Sequence, residues 1–221
     1  DNSIADVVLV HNKATKKNLN KNYFAKSKPY VVGASSRHVR VGHKQHMNNS
    51  ITPIVYISTN LYRGNMGYIV SSKTDYSQAR DEQKLILSVL SKLPHRVRYK
   101  IYPDDNRRFP DPDPVFKDAI LADNIDFFSD KLDMRYLLEE HRILVTSQST
   151  STLSWPVMTG KPVIFINWKN NCPLTDDAHS SLSKGLFVFD DNDVGFHDKL
   201  RDFLSQPIEE IERLWELKRV Y

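Results

Sequence analysis

Short apolar runs alternate with longer, more polar stretches along most of the chain. The runs are rich in β-branched residues and are bounded by turn-forming residues, which is typical of short buried strands. We predict strands at residues 5–10, 30–32, 54–58, 97–102, 125–128, 143–146, 163–166 and 186–189.

The stretches between these runs carry helical patterns. The clearest repeats apolar residues at Leu85, Ile86, Val89, Leu90 and Leu93, which is the spacing of one helix face. We predict helices at 13–24, 81–93, 116–121, 134–140, 149–159 and 208–220. Alternating strands and helices favour a doubly wound, Rossmann-like parallel sheet with helices on both faces, because parallel strands need crossover connections. In such sheets ligands bind beyond the carboxyl ends of the strands, where the strand order reverses.

The chain divides into three parts by pattern. Residues 1–33 hold one strand–helix unit and a further short strand, and residues 34–52 form a polar stretch that we interpret as a linker. Residues 53–221 carry the regular alternation and are expected to form the main domain.

The most informative segment lies between residues 143 and 166. A buried strand ending at Thr146 runs into a series of hydroxyl and amide residues, and the helix that follows is stopped at Gly160-Lys161-Pro162. The amino end of a helix presents free backbone N–H groups and the positive end of the helix dipole, so it attracts anions. A helix cap, with Ser149 as the expected cap, accounts for one or two hydroxyls but not for the whole series. We therefore predict a phosphate site formed by Thr146, Ser147, Gln148, Ser149, Thr150, Ser151 and Thr152.

This strand, hydroxyl-rich turn, helix and Gly-Lys-Pro-Val-Ile-Phe-Ile sequence resembles the C-terminal domain of GT-B glycosyltransferases. The resemblance is to transferases of bacterial surface polysaccharides, such as Kdo transferases and teichoic acid glycerophosphotransferases. It implies a GT-B-type fold, a turn that contacts the phosphates of a nucleotide-sugar donor, and a glycan acceptor. It also implies that residues 1–33 are the last βα unit of an N-terminal domain, so that the chain is a fragment.

One departure from the family leaves the donor class open. Many GT-B donor sites hold the ribose with an acidic residue near this helix, whereas residues 146–160 contain no Asp or Glu. The resemblance to the family implies a CMP-, CDP- or UDP-linked donor, and we expect no metal or other cofactor.

Two further loops follow predicted strands and resemble donor-facing loops of the family. Ser58, Thr59, Asn60 and Arg63 follow the strand at 54–58, and Arg63 suits bidentate pairing with a diphosphate, although a solvated surface arginine explains it equally well. Tyr102 follows the strand at 97–102 and is a candidate for stacking on the nucleotide base.

Asp176, Asp177 and His179 lie in what we predict to be a loop facing the sugar, with a solvated loop as the alternative. Three other features are assigned no role: the Asp111 and Asp113 pair in a proline-rich loop, the surface histidines His38, His43 and His46, and Cys172 without a base partner.

Composition excludes several classes of protein. The 221 residues are 40% hydrophobic and 26% charged, as in a globular domain, and no apolar run is long enough for a membrane span. The net charge of +4 suits phosphate-bearing ligands and is compatible with peripheral association with the inner face of a membrane. We expect no nucleic-acid partner. A single cysteine indicates a reducing compartment, so we expect a cytoplasmic location.

The leading hypothesis is glycosyl transfer from a nucleotide-activated sugar to a bacterial surface glycan, with this chain supplying the donor-binding half. Hydrogen-bond donors from Ser147 to Thr152, with Arg63, would stabilise the leaving phosphate, and the catalytic base would lie in the other domain. Two alternatives remain. One is a sugar-nucleotide epimerase of the same architecture, which would use buried carboxylates and histidine, and the other is a non-catalytic nucleotide- or sugar-binding module.

Overall fold

The computed structural model describes residues 6–21, 28–33, 52–58, 75–101, 114–130, 134–171 and 173–218. The chain divides into two compact units, residues 1–40 and 41–221. In the described part of the chain no helix is both long and apolar enough to span a membrane.

The first unit contains two parallel strands and one helix. Strand β1 (Val7–Val10) pairs in parallel with β2 (Lys28–Val31), and helix α1 (Lys13–Lys21) connects them. The side chain of Asn12 caps α1 by accepting a hydrogen bond of 2.8 Å from the backbone N–H of Thr15. The unit is thus a small βαβ motif.

The second unit is built on a six-stranded parallel sheet. Its strands are β3 (Ile54–Ile57), β4 (Val97–Lys100), β5 (Ile125–Phe128), β6 (Ile143–Thr146), β7 (Val163–Asn167) and β8 (Phe187–Asp190). The spatial order is β5-β4-β3-β6-β7-β8. From β3 the chain therefore moves outward to β5, returns to the centre at β6, and moves outward again to β8. The prediction of a doubly wound parallel sheet is confirmed.

Helices cover both faces of this sheet. They are α2 (Asp75–Ser88), α3 (Pro114–Leu121), α4 (Ser151–Met158), α5 (Asp176–Gly185), α6 (Phe196–Leu204) and α7 (Ile208–Lys218). Alternate strand residues such as Tyr56 and Val145 belong to a core formed with α2, α3 and α6. The residues between them, such as Ile57 and Leu144, belong to a second core formed with α4, α5 and α7. The inner strands β3, β6 and β7 are thus buried on both sides, which is why they appear as continuous apolar runs, whereas the edge strands β5 and β8 are partly exposed.

The helices differ from the prediction more than the strands do. Helix α2 begins at Asp75 rather than residue 81, and the predicted helix at 134–140 consists of two 3₁₀ turns, Met134–Tyr136 and Leu138–Glu140. Helices α5 and α6 were not predicted. The segment of α5 has few apolar residues, so its helical period is weak. Its signal was instead at its start, where Thr175 caps the helix and two acidic residues suit the helix dipole.

The predicted stop of α4 is present at Gly160. The helix ends at Met158, and Gly160 has a φ of 70°, a conformation that favours glycine. Lys161 then donates hydrogen bonds from Nζ to the backbone oxygens of Leu138 (2.6 Å) and His141 (2.7 Å). The lysine of the Gly-Lys-Pro turn therefore ties the start of β7 to the segment before β6.

Candidate functional site

The strand order reverses between β3 and β6, and this point defines the candidate site. The two strands pair in register from Ile54 and Ile143 to Ile57 and Thr146. The next residues, Ser58 and Ser147, therefore leave the sheet side by side. In doubly wound sheets the crevice beyond this point is where ligands bind, and we call it the switch-point crevice.

The hydroxyl-rich series of residues 146–152 begins at this crevice and is divided between core and surface. Thr146, Ser147, Gln148 and Thr152 are buried, whereas Ser149 and Thr150 are exposed. Thr152 Oγ1 donates to the backbone oxygen of Gln148 at 3.0 Å, which fixes the turn. The two exposed hydroxyls are thus the ones free to meet a ligand from solvent.

The helix cap differs from the expected one. Thr150, not Ser149, occupies the cap position of α4, and its side chain makes no capping hydrogen bond. Its backbone oxygen accepts from the N–H groups of Leu153 (3.0 Å) and Ser154 (3.2 Å). The side-chain cap is absent because Thr150 Oγ1 lies instead 3.3 Å from Thr152 Oγ1. Thr150 therefore does not supply the side-chain acceptor that a cap residue usually gives. Ser151 is the first residue of the helix.

Several buried polar side chains near the crevice have no hydrogen-bond partner among the residues that the structure describes. They are both amide atoms of Gln78, Thr146 Oγ1 and Gln148 Nε2. Buried polar atoms are normally paired, because an unpaired one costs about 1 to 3 kcal/mol. Unpaired groups concentrated at one edge of the sheet are typical of a site that receives its partners from a ligand or from water.

A buried carboxylate with two tyrosines lies directly beneath the crevice. Glu82 Oε2 accepts a hydrogen bond from the Tyr56 hydroxyl at 2.7 Å, and Oε1 accepts from the Tyr99 hydroxyl at 2.6 Å. The Tyr99 oxygen also lies 3.2 Å from Ser58 Oγ. Ser58, the first residue of the predicted phosphate loop after β3, is therefore joined to this buried group.

Burial dominates the electrostatics of this group. It raises the pKa of Glu82, and the hydrogen bonds from Tyr99, Tyr56 and Ser58 oppose that rise. Burial and the adjacent Glu82 charge raise the pKa of both tyrosines well above 10, so they remain hydrogen-bond donors. Ser147 lies near the Tyr56 hydroxyl and acts in the opposite direction on the Tyr56 pKa. The network thus links β3, β4, β6 and α2 at the floor of the crevice.

This network was missing from the sequence analysis, although one signal was present. Glu82 stands three and four residues before Leu85 and Ile86, so it lies on the apolar face of α2. A carboxylate on such a face needs buried partners. Its partners Tyr56 and Tyr99 face each other only through the register of β3 and β4, which the sequence does not reveal.

The prediction that residues 176–179 form a loop is wrong. Asp176, Asp177 and His179 lie at the start of α5, and the two aspartates are exposed. His179 Nε2 lies 3.1 Å from Asp190 Oδ2 at the end of β8, and Asn167 Nδ2 donates to Asp190 Oδ1 at 2.6 Å. The imidazole is therefore oriented at the carboxyl edge of the sheet, on the β7–β8 side of the crevice.

The other predicted site residues, Thr59, Asn60, Arg63 and Tyr102, lie outside the described residues. The same holds for Asp111, Asp113, Cys172 and the three histidines of the predicted linker. In the described ranges no group of three or more His, Cys, Asp or Glu side chains is arranged to hold a metal ion.

Two solved structures share this fold. One is S. aureus MnaA in complex with UDP, with a TM-score of 0.57 and 13% sequence identity. Another is a Listeria monocytogenes protein assigned as a UDP-N-acetylglucosamine 2-epimerase, with a TM-score of 0.57 and 16% identity. Each match covers 96% of this chain but only 55% and 54% of the two proteins, so the chain spans about half their length.

At these identities the likeness establishes the fold. It agrees with the predicted Rossmann-like fold of GT-B type. No model of a known protein family matches the chain, and no curated protein matches it in sequence.

Proposed function

We propose that the second unit binds the diphosphate of a nucleotide-activated sugar in the switch-point crevice. The observation that carries this proposal is the position of the hydroxyl-rich turn, which joins the last residue of β6 to the amino end of α4 at the point where strand order reverses. The UDP complex of a protein with the same fold supports this choice of ligand.

The chemistry of the turn suits an anion. The cap residue Thr150 makes no side-chain hydrogen bond to the first turn of α4, and Ser149 and Thr150 present exposed hydroxyls at this end of the helix. The helix dipole favours negative charge at this end. Residues 146–160 contain no carboxylate that would repel a phosphate. Thr59, Asn60 and Arg63 are proposed to complete this phosphate site, with Tyr102 against the base.

The proposed reaction is transfer of the sugar to a bacterial surface glycan. As the bond to the sugar breaks, negative charge develops on the leaving diphosphate, and donors that are already oriented stabilise it. We propose that residues 1–33 end an acceptor-binding domain, that residues 34–52 are a linker, and that the catalytic base lies in the rest of that domain. The exposed start of α5, with Asp176, Asp177 and His179, is proposed to face the hydroxyls of the donor sugar. These assignments place the reaction in the cytoplasm, with peripheral association at the membrane as a further proposal.

A sugar-nucleotide epimerase is the second candidate. It is favoured by the assignment of the Listeria monocytogenes protein and by the buried Glu82 carboxylate beneath the crevice. Both oxygens of Glu82 accept hydrogen bonds from tyrosines, and the side chain is buried, so this carboxylate is engaged in a structural network rather than open to a ligand. We therefore rank transfer first.

A thermal-shift experiment tests the binding step. A nucleotide present at one hundred times its Kd stabilises the folded state by about 2.7 kcal/mol, which raises the midpoint by about 5 to 11 °C for a chain of this size. UDP, CDP, CMP, GDP and ADP are compared, each with and without Mg²⁺. The Ser149→Ala plus Thr150→Ala variant should lose most of the shift.

A matched control is available on α5. Ser180 and Ser181 are also exposed helical hydroxyls, so the Ser180→Ala plus Ser181→Ala variant should keep the shift. Equal shifts in wild type and in the Ser149/Thr150 variant would contradict the proposed phosphate site. The two reactions are separated by proton NMR of a UDP-sugar: transfer or hydrolysis releases free nucleotide, whereas epimerisation inverts one sugar centre and leaves the nucleotide attached.

A further inference from the structure

We infer that Gln78 is a specificity-determining residue that hydrogen-bonds the nucleoside of the bound nucleotide on the α2 side of the switch-point crevice. This inference rests on the proposed function and extends it, because stacking by Tyr102 does not distinguish one base from another, whereas hydrogen bonds to the nucleoside do. Three observations carry it: the position of Gln78, the state of its amide, and the chemistry that an amide can recognise.

The position follows from the contacts of the same helix. Glu82 lies one turn after Gln78 and bonds to Tyr56 and Tyr99, so this face of α2 lies over β3 and β4. A crossover helix runs opposite to its strands, and four residues of helix advance about 6 Å. Tyr56 and Ser58 are about 7 Å apart along the strand. Gln78 therefore lies about one helical turn nearer than Glu82 to the carboxyl edge of the sheet.

The side chain of Gln78 is buried without a partner. The residue is 5% exposed, and neither its amide oxygen nor its amide nitrogen has a hydrogen-bond partner in the described part of the chain. Ser147 is 4% exposed, and its hydroxyl lies near that of Tyr56. The register of β3 and β6 brings Ser147 beside Ser58 at the carboxyl edge of the sheet. The unpaired amide of Gln78 is thus the group in this corner of the crevice that a ligand can satisfy.

An amide distinguishes between the parts of a nucleotide. It offers a donor and an acceptor side by side, so its full partner must both accept and donate. A diphosphate at neutral pH only accepts and would leave the Gln78 oxygen unpaired. The edge of a pyrimidine base and the hydroxyls of ribose offer both functions. The chemistry therefore favours an uncharged partner.

The direction of the ligand favours the nucleoside over the donor sugar. If the diphosphate lies at the amino end of α4, the two ends of the ligand leave it in different directions. The start of α5 and the His179–Asp190 pair lie on the β7–β8 side, where the sugar is proposed to lie. The β3–β4 side, which α2 covers, remains for the nucleoside.

The test compares UDP with inorganic pyrophosphate, which carries the phosphates without a nucleoside. The Gln78→Met variant keeps the size of the side chain and removes both polar atoms. We expect its Kd for UDP to rise about three- to tenfold, as for one or two uncharged hydrogen bonds, while its Kd for pyrophosphate stays unchanged.

Stability without ligand gives an independent readout. Because the amide of Gln78 is unpaired, Gln78→Met should unfold at the same temperature as wild type or about 2 to 4 °C higher. Gln83→Met is the matched control on the same helix, since Gln83 Nε2 donates to Asp118 Oδ2 at 2.5 Å. That variant should be less stable than wild type and bind UDP normally.

The outcomes separate this inference from the proposed function. Wild-type protein that binds neither UDP nor pyrophosphate refutes the proposed function and the inference with it. Wild-type protein that binds both, combined with a Gln78→Met variant that binds UDP normally or loses both ligands equally, refutes only the inference. A clear loss of stability in Gln78→Met also overturns it, because the amide would then have a structural partner.

Discussion

Replacing Tyr99 by phenylalanine removes one buried oxygen and leaves its ring in place. The ring packs against those of Tyr56, Phe116 and Phe127, with centroids 5.4, 6.4 and 6.0 Å away. The change therefore creates no sizeable cavity. What is lost is the hydrogen bond of 2.6 Å to Glu82 Oε1 and the contact of 3.2 Å with Ser58 Oγ.

The expected cost depends on the charge of Glu82. A hydrogen bond to a buried carboxylate contributes about 1.5 to 3 kcal/mol, and one to a neutral carboxyl about 1 kcal/mol. Burial raises the pKa of Glu82, so the native state holds this proton more tightly than the unfolded chain does. The stability that Glu82 contributes is therefore fully present below its unfolded pKa of about 4.3 and is lost as the pH rises through the folded pKa. Tyr99→Phe should raise the folded pKa further and cost more at high pH than at low pH.

Equilibrium unfolding in urea, followed by tryptophan fluorescence at pH 5 and pH 8, measures this effect. We expect a loss of about 2 to 3 kcal/mol at pH 8, or about 4 to 12 °C in midpoint temperature. Tyr76→Phe is the control, because Tyr76 is 77% exposed on the same helix as Glu82. In a Glu82→Gln background the loss from Tyr99→Phe should shrink, since the charge that strengthens the bond is gone. Equal stability of Tyr99→Phe and Tyr76→Phe at both pH values would refute the reasoning.

Two further predictions concern residues away from the crevice. Burial lowers the pKa of His141 to about 4, and its Nδ1 lies 2.7 Å from the backbone oxygen of Thr52. Its contribution to stability is therefore present above the unfolded pKa of about 6.5 and is lost as the pH falls toward 4. The full contribution to the free energy of unfolding is about 3 kcal/mol. In the His141→Asn variant this pH-dependent contribution should be absent, which urea unfolding at pH 5 and pH 8 would show. Asn124 Nδ2 donates to the backbone oxygens of Leu90 (2.8 Å) and Leu93 (3.1 Å). Asn124→Asp, which sets a carboxylate against those oxygens, should lower the free energy of unfolding by about 2 to 4 kcal/mol, whereas Asp123→Asn should not.

The strands could be predicted from the sequence because they are short apolar runs between polar segments. Ile143–Thr146 has the predicted bounds, since a run buried on both faces stands out from its polar surroundings, and the partly buried edge strand Ile125–Phe128 is likewise found as predicted. The order of the strands in the sheet could not be predicted in this way. The sequences of β3 and β6 do not indicate that the two strands are neighbours, so the location of the switch-point crevice came from the structure.

The site could be predicted only in part, for the same reason. The hydroxyl-rich turn is continuous in sequence and was visible there. Which of its side chains point outward depends on packing, and four of them, including Ser147, are buried. The Glu82 network and the unpaired amide of Gln78 depend on residues brought together from α2, β3, β4 and β6. Such groups leave little pattern in the local sequence, because each of their residues, taken alone, also fits an ordinary position on a helix or strand.

The strand order has a mechanical consequence for the chain as a whole. Residues 52–130 supply one set of three adjacent strands, and residues 134–218 supply the other. The two sets meet along a single seam, the β3–β6 ladder, which opens at its carboxyl end into the crevice. Any molecule held there touches both sets and acts as a clamp across the seam. A ligand bound in the crevice would then slow the local unfolding of β3 and β6 along their whole length, including at positions that no ligand contacts.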